Sequence, residues 1–206
     1  MDRPEQILEV WFADVVQNPG LLGKRFDYWF GSDADTADSI RARDEWLTHR
    51  FLHDVELASN SQLEGWAQRP RGRLALILLL DQFRRNIFRG SAQAFSHDRM
   101  ALDLALTGLR VGDDEKLAVP ERIFFYMPFQ HSESLTIQEQ SVKQFERLAN
   151  DADEGRKGVL GEVLRYARLH HGIIQQFGRF PHRNRVLGRT STDAELAFLS
   201  KSSNDF

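Results

Sequence analysis

The sequence predicts an all-α fold, with about nine or ten helices joined by short turns. Apolar residues recur at three- and four-residue spacing in one segment after another, and no segment alternates as a half-buried strand would. Capping and helix-breaking residues punctuate the chain between those segments. The one continuous aliphatic run, Leu74–Leu80, contains a single β-branched residue, Ile77, which favours a helix surrounded by others over a buried strand.

Pro4 to about Val16 is the first predicted helix, with proline in its first turn and Ile7, Leu8, Trp11, Phe12 and Val15 on one side. Asn18-Pro19-Gly20 ends it. Phe26–Phe30 is a short aromatic segment whose Tyr28-Trp29-Phe30 triplet is expected against the core. Gly31-Ser32-Asp33 opens a long charged helix to about Ser59, with Ile40, Leu47, Phe51 and Val55 as its buried stripe. Leu63 and Trp66 anchor a shorter helix, which Pro70 terminates.

The next helix, roughly Gly72 to Asn86, is apolar all round and then carries Asp81, Gln82, Arg84, Arg85 and Asn86 in close succession. Polar groups leaving a buried helix must find partners, because an unpaired one is costly. After Ile87–Gly90, Ser96 is expected to cap a helix from about His97 to Leu109, closed by Gly112. Pro120 starts a short helix through Phe124, Phe125 and Tyr126 that Pro128 stops. Ser132 is the expected cap of the helix through Leu135, Val142, Phe145 and Leu148. The charged stretch Asn150–Gly158 is expected to be the least ordered part of the interior. Val159 to Phe177 forms a long helix with Val163, Tyr166, His170, Ile173 and Phe177 on one face. Phe177–Asn184 reads as an ordered turn, and Thr192-Asp193-Ala194-Glu195 as a capping box opening a last helix.

A chain of 206 residues, 41% hydrophobic and with 15 phenylalanines, suits one domain over 1–206 with a sizeable core. A net charge of −3 gives no case for nucleic acid binding, and the absence of cysteine excludes disulfide and thiol chemistry. The longest aliphatic run, seven residues, is far short of a membrane span. Met1-Asp2-Arg3-Pro4 lacks the apolar core of a signal peptide, so a soluble cytoplasmic protein is expected. No clean repeat defines a helical array. The succession of short helix pairs nonetheless suits a curved, solenoid-like arrangement better than a four-helix bundle.

Three blocks carry a wider pattern. They are Leu80-Asp81-Gln82-Phe83 with Arg85–Gly90; Pro128-Phe129 with His131-Ser132-Glu133, Leu135 and Gln138; and His170, Ile173-Ile174, Phe177–Asn184 and Leu187-Gly188-Arg189. Together they resemble the bacterial DUF924 family, from Trp11-Phe12 to Phe198-Leu199. The resemblance implies an all-helical fold similar to tetratricopeptide-repeat superhelices, and no activity. In one position the chain departs from the family block, with Arg84 where proline usually follows Phe83. Without that proline the helix is expected to continue a turn further.

The blocks place Asp81, Arg85 and Asn86, then His131, Ser132 and Glu133, then His170, Arg179, His182, Arg183 and Asn184 at helix ends or tight turns. They are expected to meet in one polar pocket. Arg179, Arg183 and Arg85 suit bidentate contacts to phosphate or to a small-molecule or peptide carboxylate. His131 or His182 with Asp81 or Glu133 suits general acid–base work in a hydrolase. His131, Glu133, His170 and His182 are of metal-ligating type, but no tight pair such as HExxH supports a metal, and none is assigned. Ser132 lacks the glycine-flanked elbow of a nucleophile. The same groups also suit plain structural roles, with Asp81 and Glu133 pairing to Arg85, Arg179 or Arg183 and His170 satisfied in the core. A protein-interaction adaptor working through a concave helical face is the third functional class. No motif names a cofactor.

Overall fold

The computed structural model describes residues 2–32 and 34–201. It is 76% helical, with no strand among the described residues. Asp33, in the expected opening of the long charged helix, lies outside them.

Helix α1 (Arg3–Phe12) is capped by Asp2, whose carboxylate accepts from the Glu5 N–H at 3.2 Å. It ends earlier than the periodicity suggests, because Ala13 takes φ 47 and the chain tightens into a 3₁₀ turn over Ala13–Val15. Helix α2 (Leu22–Phe30) holds the aromatic triplet, of which only Trp29 is buried. Its indole donates to the Trp11 carbonyl at 2.9 Å, while Phe30 stays 42% exposed. Helix α3 (Ala37–Ser59) starts later than Gly31, at a reciprocal capping box between Thr36 and Ser39. Leu47, Phe51 and Val55 are buried as expected, and Ile40 is half-buried. The Leu63–Trp66 segment is a 3₁₀ turn over Glu64–Gln68, and Pro70 starts the following helix instead of ending this one.

That following helix is the centre of the molecule. Helix α4 (Pro70–Ile77) runs without a break into a π-helical stretch, Leu78–Phe83, and then helix α5 (Arg84–Ile87). Every residue from Leu74 to Phe83 is at most 8% exposed, because α1, α3, α6 and α7 surround this rod. Arg84 continues the helix as expected and is itself buried. Its guanidinium donates to the Gln93 carbonyl and to the Ser59 and Ser96 hydroxyls. The Ser96 side chain is thereby committed to Arg84. Helix α6 (Asp98–Arg110) begins instead after His97, with no side-chain cap.

Helix α7 (Val119–Gln130) opens where the Glu121 carboxylate accepts the Ala118 N–H at 2.9 Å. It continues two residues past Pro128, although proline has no N–H to give the Phe124 carbonyl, so the expected stop falls at Gln130 instead. Helix α8 (Leu135–Asn150) is entered at Ser134, whose N–H is accepted by Ser132 Oγ at 3.2 Å. Ser132 thus steadies the turn before the cap and does not cap the helix. Helix α9 (Lys157–Phe177) ends at Gly178 in the left-handed region, φ 69, which glycine adopts without steric penalty. The expected capping box closes at the start of helix α10 (Asp193–Lys201), with the Glu195 N–H on Thr192 Oγ1 at 3.2 Å and the Thr192 N–H on Glu195 Oε2 at 2.7 Å.

The core is one large cluster reaching from α1 to α9. A small second cluster lies under the C-terminal segment, where Ile173, Ile174 and Phe180 gather Leu169, Phe177 and Phe198. The polar residues of the three blocks occupy the zone where α5, α7 and α9 meet that segment.

Candidate functional site

The π-helical stretch places Asp81 at the centre of the polar zone. A π turn inserts one residue into an α-helix and rotates the residues beyond it, and such turns occur often at functional sites. Asp81 is fully buried. Its Oδ1 is 2.6 Å from His131 Nδ1, and its Oδ2 accepts from Gln82 Nε2 at 2.5 Å. Arg85, one turn on, approaches Asp81 Oδ1 at 3.2 Å and donates to the Asp81 carbonyl at 3.0 Å. It also grips Asp98 with two bonds, of 2.9 and 3.0 Å. Asp98 Oδ2 in turn accepts from Arg183 Nη1 at 3.1 Å. A continuous chain of polar contacts therefore runs His131–Asp81–Arg85–Asp98–Arg183 and joins all three sequence blocks.

Burial opposes ionisation of Asp81, but Arg85 and then His131 outweigh it and hold the carboxyl well below its usual range. An ionised carboxylate can only accept, so His131 Nδ1 must carry the hydrogen, and Nε2 is the nitrogen left to take a proton. Burial, followed by the nearby Arg85, pushes His131 below the usual imidazole value, with Asp81 pulling the other way. His170 Nδ1 lies 2.8 Å from the Tyr166 carbonyl; since a carbonyl cannot donate, Nδ1 holds the hydrogen there too. Burial brings His170 down to about 3 and His182 to about 4, with His131 and Arg183 adding repulsion to both.

Arg183 is 5% exposed. Its guanidinium carbon lies 4.4 Å from the Phe180 ring centroid and 4.7 Å from that of Phe95. Two aromatic rings thus pack close to the guanidinium. One edge meets Asp98, and Nε is buried with no hydrogen-bond partner among the described residues. Burial, then the adjacent Arg85, brings this guanidinium down to about 10, a large departure for a group that is normally always charged.

The remaining expected site residues face other partners. Glu133 accepts the Phe180 N–H at 2.8 Å and pairs with both terminal nitrogens of Arg189, at 2.7 and 3.0 Å. Burial would raise its carboxyl, but the Arg189 and Phe180 bonds hold it below the usual range. It therefore anchors the C-terminal segment through Arg189 and the Phe180 N–H. Arg179 and Asn184 turn toward α10, where Arg179 reaches Glu195 at 2.6 and 2.8 Å and Asn184 bonds Ser191 at 3.0 Å and Glu195 at 3.3 Å. Asn86 donates to Asp44 on α3 at 2.9 Å, away from the imidazoles. Among the described residues, no group of three or more His, Asp or Glu side chains is placed to hold a metal ion.

Glu195 is held down to about 2, by the Arg179 bond first and the Thr192 N–H second. A carboxyl depressed below its unfolded value stabilises the fold above that value, and the contribution disappears as pH falls through the folded value. The melting temperature of the wild-type protein should therefore converge on that of Glu195→Gln as pH drops from 4.5 toward about 2. A constant gap across that interval, followed by circular dichroism, would contradict this role.

Sequence reasoning missed Asp98, Phe95 and the π stretch, and it read Glu195 only as part of a capping box and Arg189 only as the end of the third block. Arg189 had a signal, since it closes the third block. Asp98 lies outside all three blocks and could be found only by folding α6 against α5.

Fold and site together define an all-helical protein organised around a buried Asp–His pair linked through arginines to a C-terminal turn. The chain belongs to the family described as bacterial protein of unknown function, DUF924, whose sequence profile matches residues 7–203. It is similar to a solved structure of a protein of unknown function, ATU0120, from Agrobacterium tumefaciens. The two share 32% sequence identity with a TM-score of 0.73, over 93% of this chain and 99% of the other. No curated protein matches the chain. No helix among the described residues is long and apolar enough to cross a membrane.

Proposed function

We propose that the protein binds a small oxoanion, a carboxylate or phosphate, against Arg183 and beside the Asp81–His131 pair. The observation that carries this reading is the state of Arg183: buried, close to two aromatic rings and, among the described residues, with one hydrogen bond, at 3.1 Å, and no partner for Nε. A buried cation with unmet donors is costly to the fold alone, and an oxoanion laid along its edge supplies the bidentate acceptors that a guanidinium fork fits. Arg85, shared between Asp81 and Asp98, keeps the surroundings polar. The tetratricopeptide-like superhelix and cytoplasmic location implied by the sequence are compatible with such a role.

The test compares wild type with Arg183→Met, which keeps most of the volume and removes the donors. Replacing a poorly paired buried charge by a packed hydrophobe is often neutral or stabilising. The variant should therefore melt at or above the wild-type temperature in anion-free buffer. Titration with sulfate, phosphate, acetate or succinate should raise the melting point of wild type alone. A ligand at 100 times its Kd adds about 2.7 kcal/mol of stability. If none of these anions moves the wild-type transition, the reading is wrong.

A second reading is a hydrolase in which His131, oriented by Asp81, takes a proton from attacking water. The 2.6 Å Asp81–His131 contact favours it. Because Glu133 is committed to Arg189, that pair is the acid–base couple the geometry favours over His182 with Glu133.

A further inference from the structure

We propose that residues 178–201 form a strap that undocks from the rest of the fold as one unit and uncovers the Arg183 end of the polar centre. The inference concerns the motion of the fold itself and holds whether or not an anion binds there.

The strap is wired to itself. Gly178, at φ 69, ends α9 and marks the hinge. Beyond it the Glu195 carboxylate, 2% exposed, ties the turn to α10 by accepting from Arg179 at 2.6 and 2.8 Å and from Asn184 at 3.3 Å. Arg189 lies between them and donates to Asn184 Oδ1 and to the Phe180 carbonyl, both at 2.9 Å. Arg179 also reaches the Thr190 carbonyl at 2.9 Å, and Asn184 reaches Ser191 at 3.0 Å. Turn and last helix thus depend on each other, so they dock and undock together. Once released, a helix of nine residues is too short to persist alone in water.

The hold on the body is of a different kind. Glu133, between α7 and α8, accepts the Phe180 N–H at 2.8 Å and both terminal nitrogens of Arg189. Asp98, at the start of α6, accepts from Arg183 at 3.1 Å. Opening exchanges such bonds for bonds to water, so their net contribution is modest. The larger resistance to opening is the apolar surface that must be exposed. Phe180, Pro181, Arg183, Asn184 and Glu195 are the buried side chains of the strap, and three of these five are polar. Phe180 packs with Ile173 and Ile174 in the small cluster, separate from the main core, with Phe198 half-buried beside them. The rod Leu74–Phe83, by contrast, is buried along its whole length. The strap therefore gives way before the core does.

Opening changes what the polar centre presents. Phe180 covers the His170 ring, 5.3 Å between centroids, and lies 4.4 Å from the Arg183 guanidinium. Arg183 and His182 leave with the strap, while His170 and Asp98 are left facing water. Asp81 and His131 belong to the body and keep their 2.6 Å contact. Arg183, 5% exposed in the closed form, thus becomes accessible to solutes while the core stays folded.

Native-state hydrogen exchange of the full chain, read by NMR at low urea concentrations, tests this. The bonded amides of Phe180, Arg183, Asn184, Leu187, Arg189 and Leu196 should share one opening constant. It should exceed that of the Leu74–Phe83 amides by roughly tenfold or more and depend little on urea, because little surface is exposed. Glu133→Gln weakens the clamp but keeps its shape. It should speed the strap amides by about tenfold and the rod by less than about twofold. One opening constant shared by strap and rod would overturn the proposal, since the strap would then open only with everything else. Equal acceleration of both in Glu133→Gln would do the same. So would early exchange of α10 with the Arg183 to Arg189 amides slow as the core, which is fraying of a chain end. Should Glu133→Gln fail to fold, Arg189→Met loosens the same clamp from the strap side, and the wild-type rates already decide.

Discussion

Asp81→Ala is expected to destabilise the protein by about 3–5 kcal/mol, the range found when one partner of a buried ion pair is removed. The residue is fully buried and serves three neighbours at once: His131, Gln82, and Arg85 through both its carboxylate and its carbonyl. Only the carbonyl bond survives truncation. His131 then loses the partner that fixes its tautomer, and Arg85 keeps only Asp98 to balance it. Asp81→Asn should cost less, because its amide preserves the shape and one acceptor. It should still abolish the preference for a hydrogen on His131 Nδ1, since the amide can also donate. Urea denaturation of the three proteins ranks them, and an Asp81→Ala variant as stable as wild type would show that the fold does not depend on this carboxylate.

How much of this could be read from sequence differs between fold and site. Periodicity located nearly every helix, because apolar residues at helical spacing bury one stripe only when the backbone is helical. The errors fall at ends, where a single side chain decides between rivals. Ser96 and Ser132 are both good capping residues by type. Arg84 recruits the first, and the second settles on the Ser134 N–H just before the helix starts. Pro128 reads as a stop, yet α7 passes it by two residues. The π stretch Leu78–Phe83 has no signature in sequence, since one inserted residue changes the geometry of a helix without demanding any particular side chain.

For the site, block membership marked Asp81, Arg85, His131 and Arg183, which the structure draws into one connected network. Pairing choices were not readable. Each arginine could have met any of several carboxylates, and which one it meets depends on how helices far apart in sequence cross. Asp98 and Arg183 are separated by 85 positions, and Arg189 and Glu133 by 56. Arg179 and Asn184 share the turn with Arg183 but pair with Glu195 on α10. One short segment thus carries two separate jobs. Arg179 and Asn184 hold the last helix through Glu195, while Arg183 enters the polar centre.

Phe180 joins those jobs, and Phe180→Ala should cost about 3–5 kcal/mol, the usual loss for deleting a fully buried phenylalanine ring. Its backbone is clamped on both sides, the N–H by Glu133 at 2.8 Å and the carbonyl by Arg189 at 2.9 Å. The main chain is therefore held in place while the ring is removed, and the cavity has little freedom to collapse. That ring also lies 4.4 Å from the Arg183 guanidinium and touches both His170 and His182. Two effects can be separated with Phe180→Leu, which refills much of the volume but has no π face. Leucine should recover most of the stability lost in alanine. It should not recover anion affinity, because leucine offers no π face to hold the Arg183 guanidinium. Denaturation curves and sulfate titrations of the same two variants read the two quantities independently. Parallel recovery of both in Phe180→Leu would mean that Phe180 only fills space, and that the orientation of Arg183 comes from Asp98 alone.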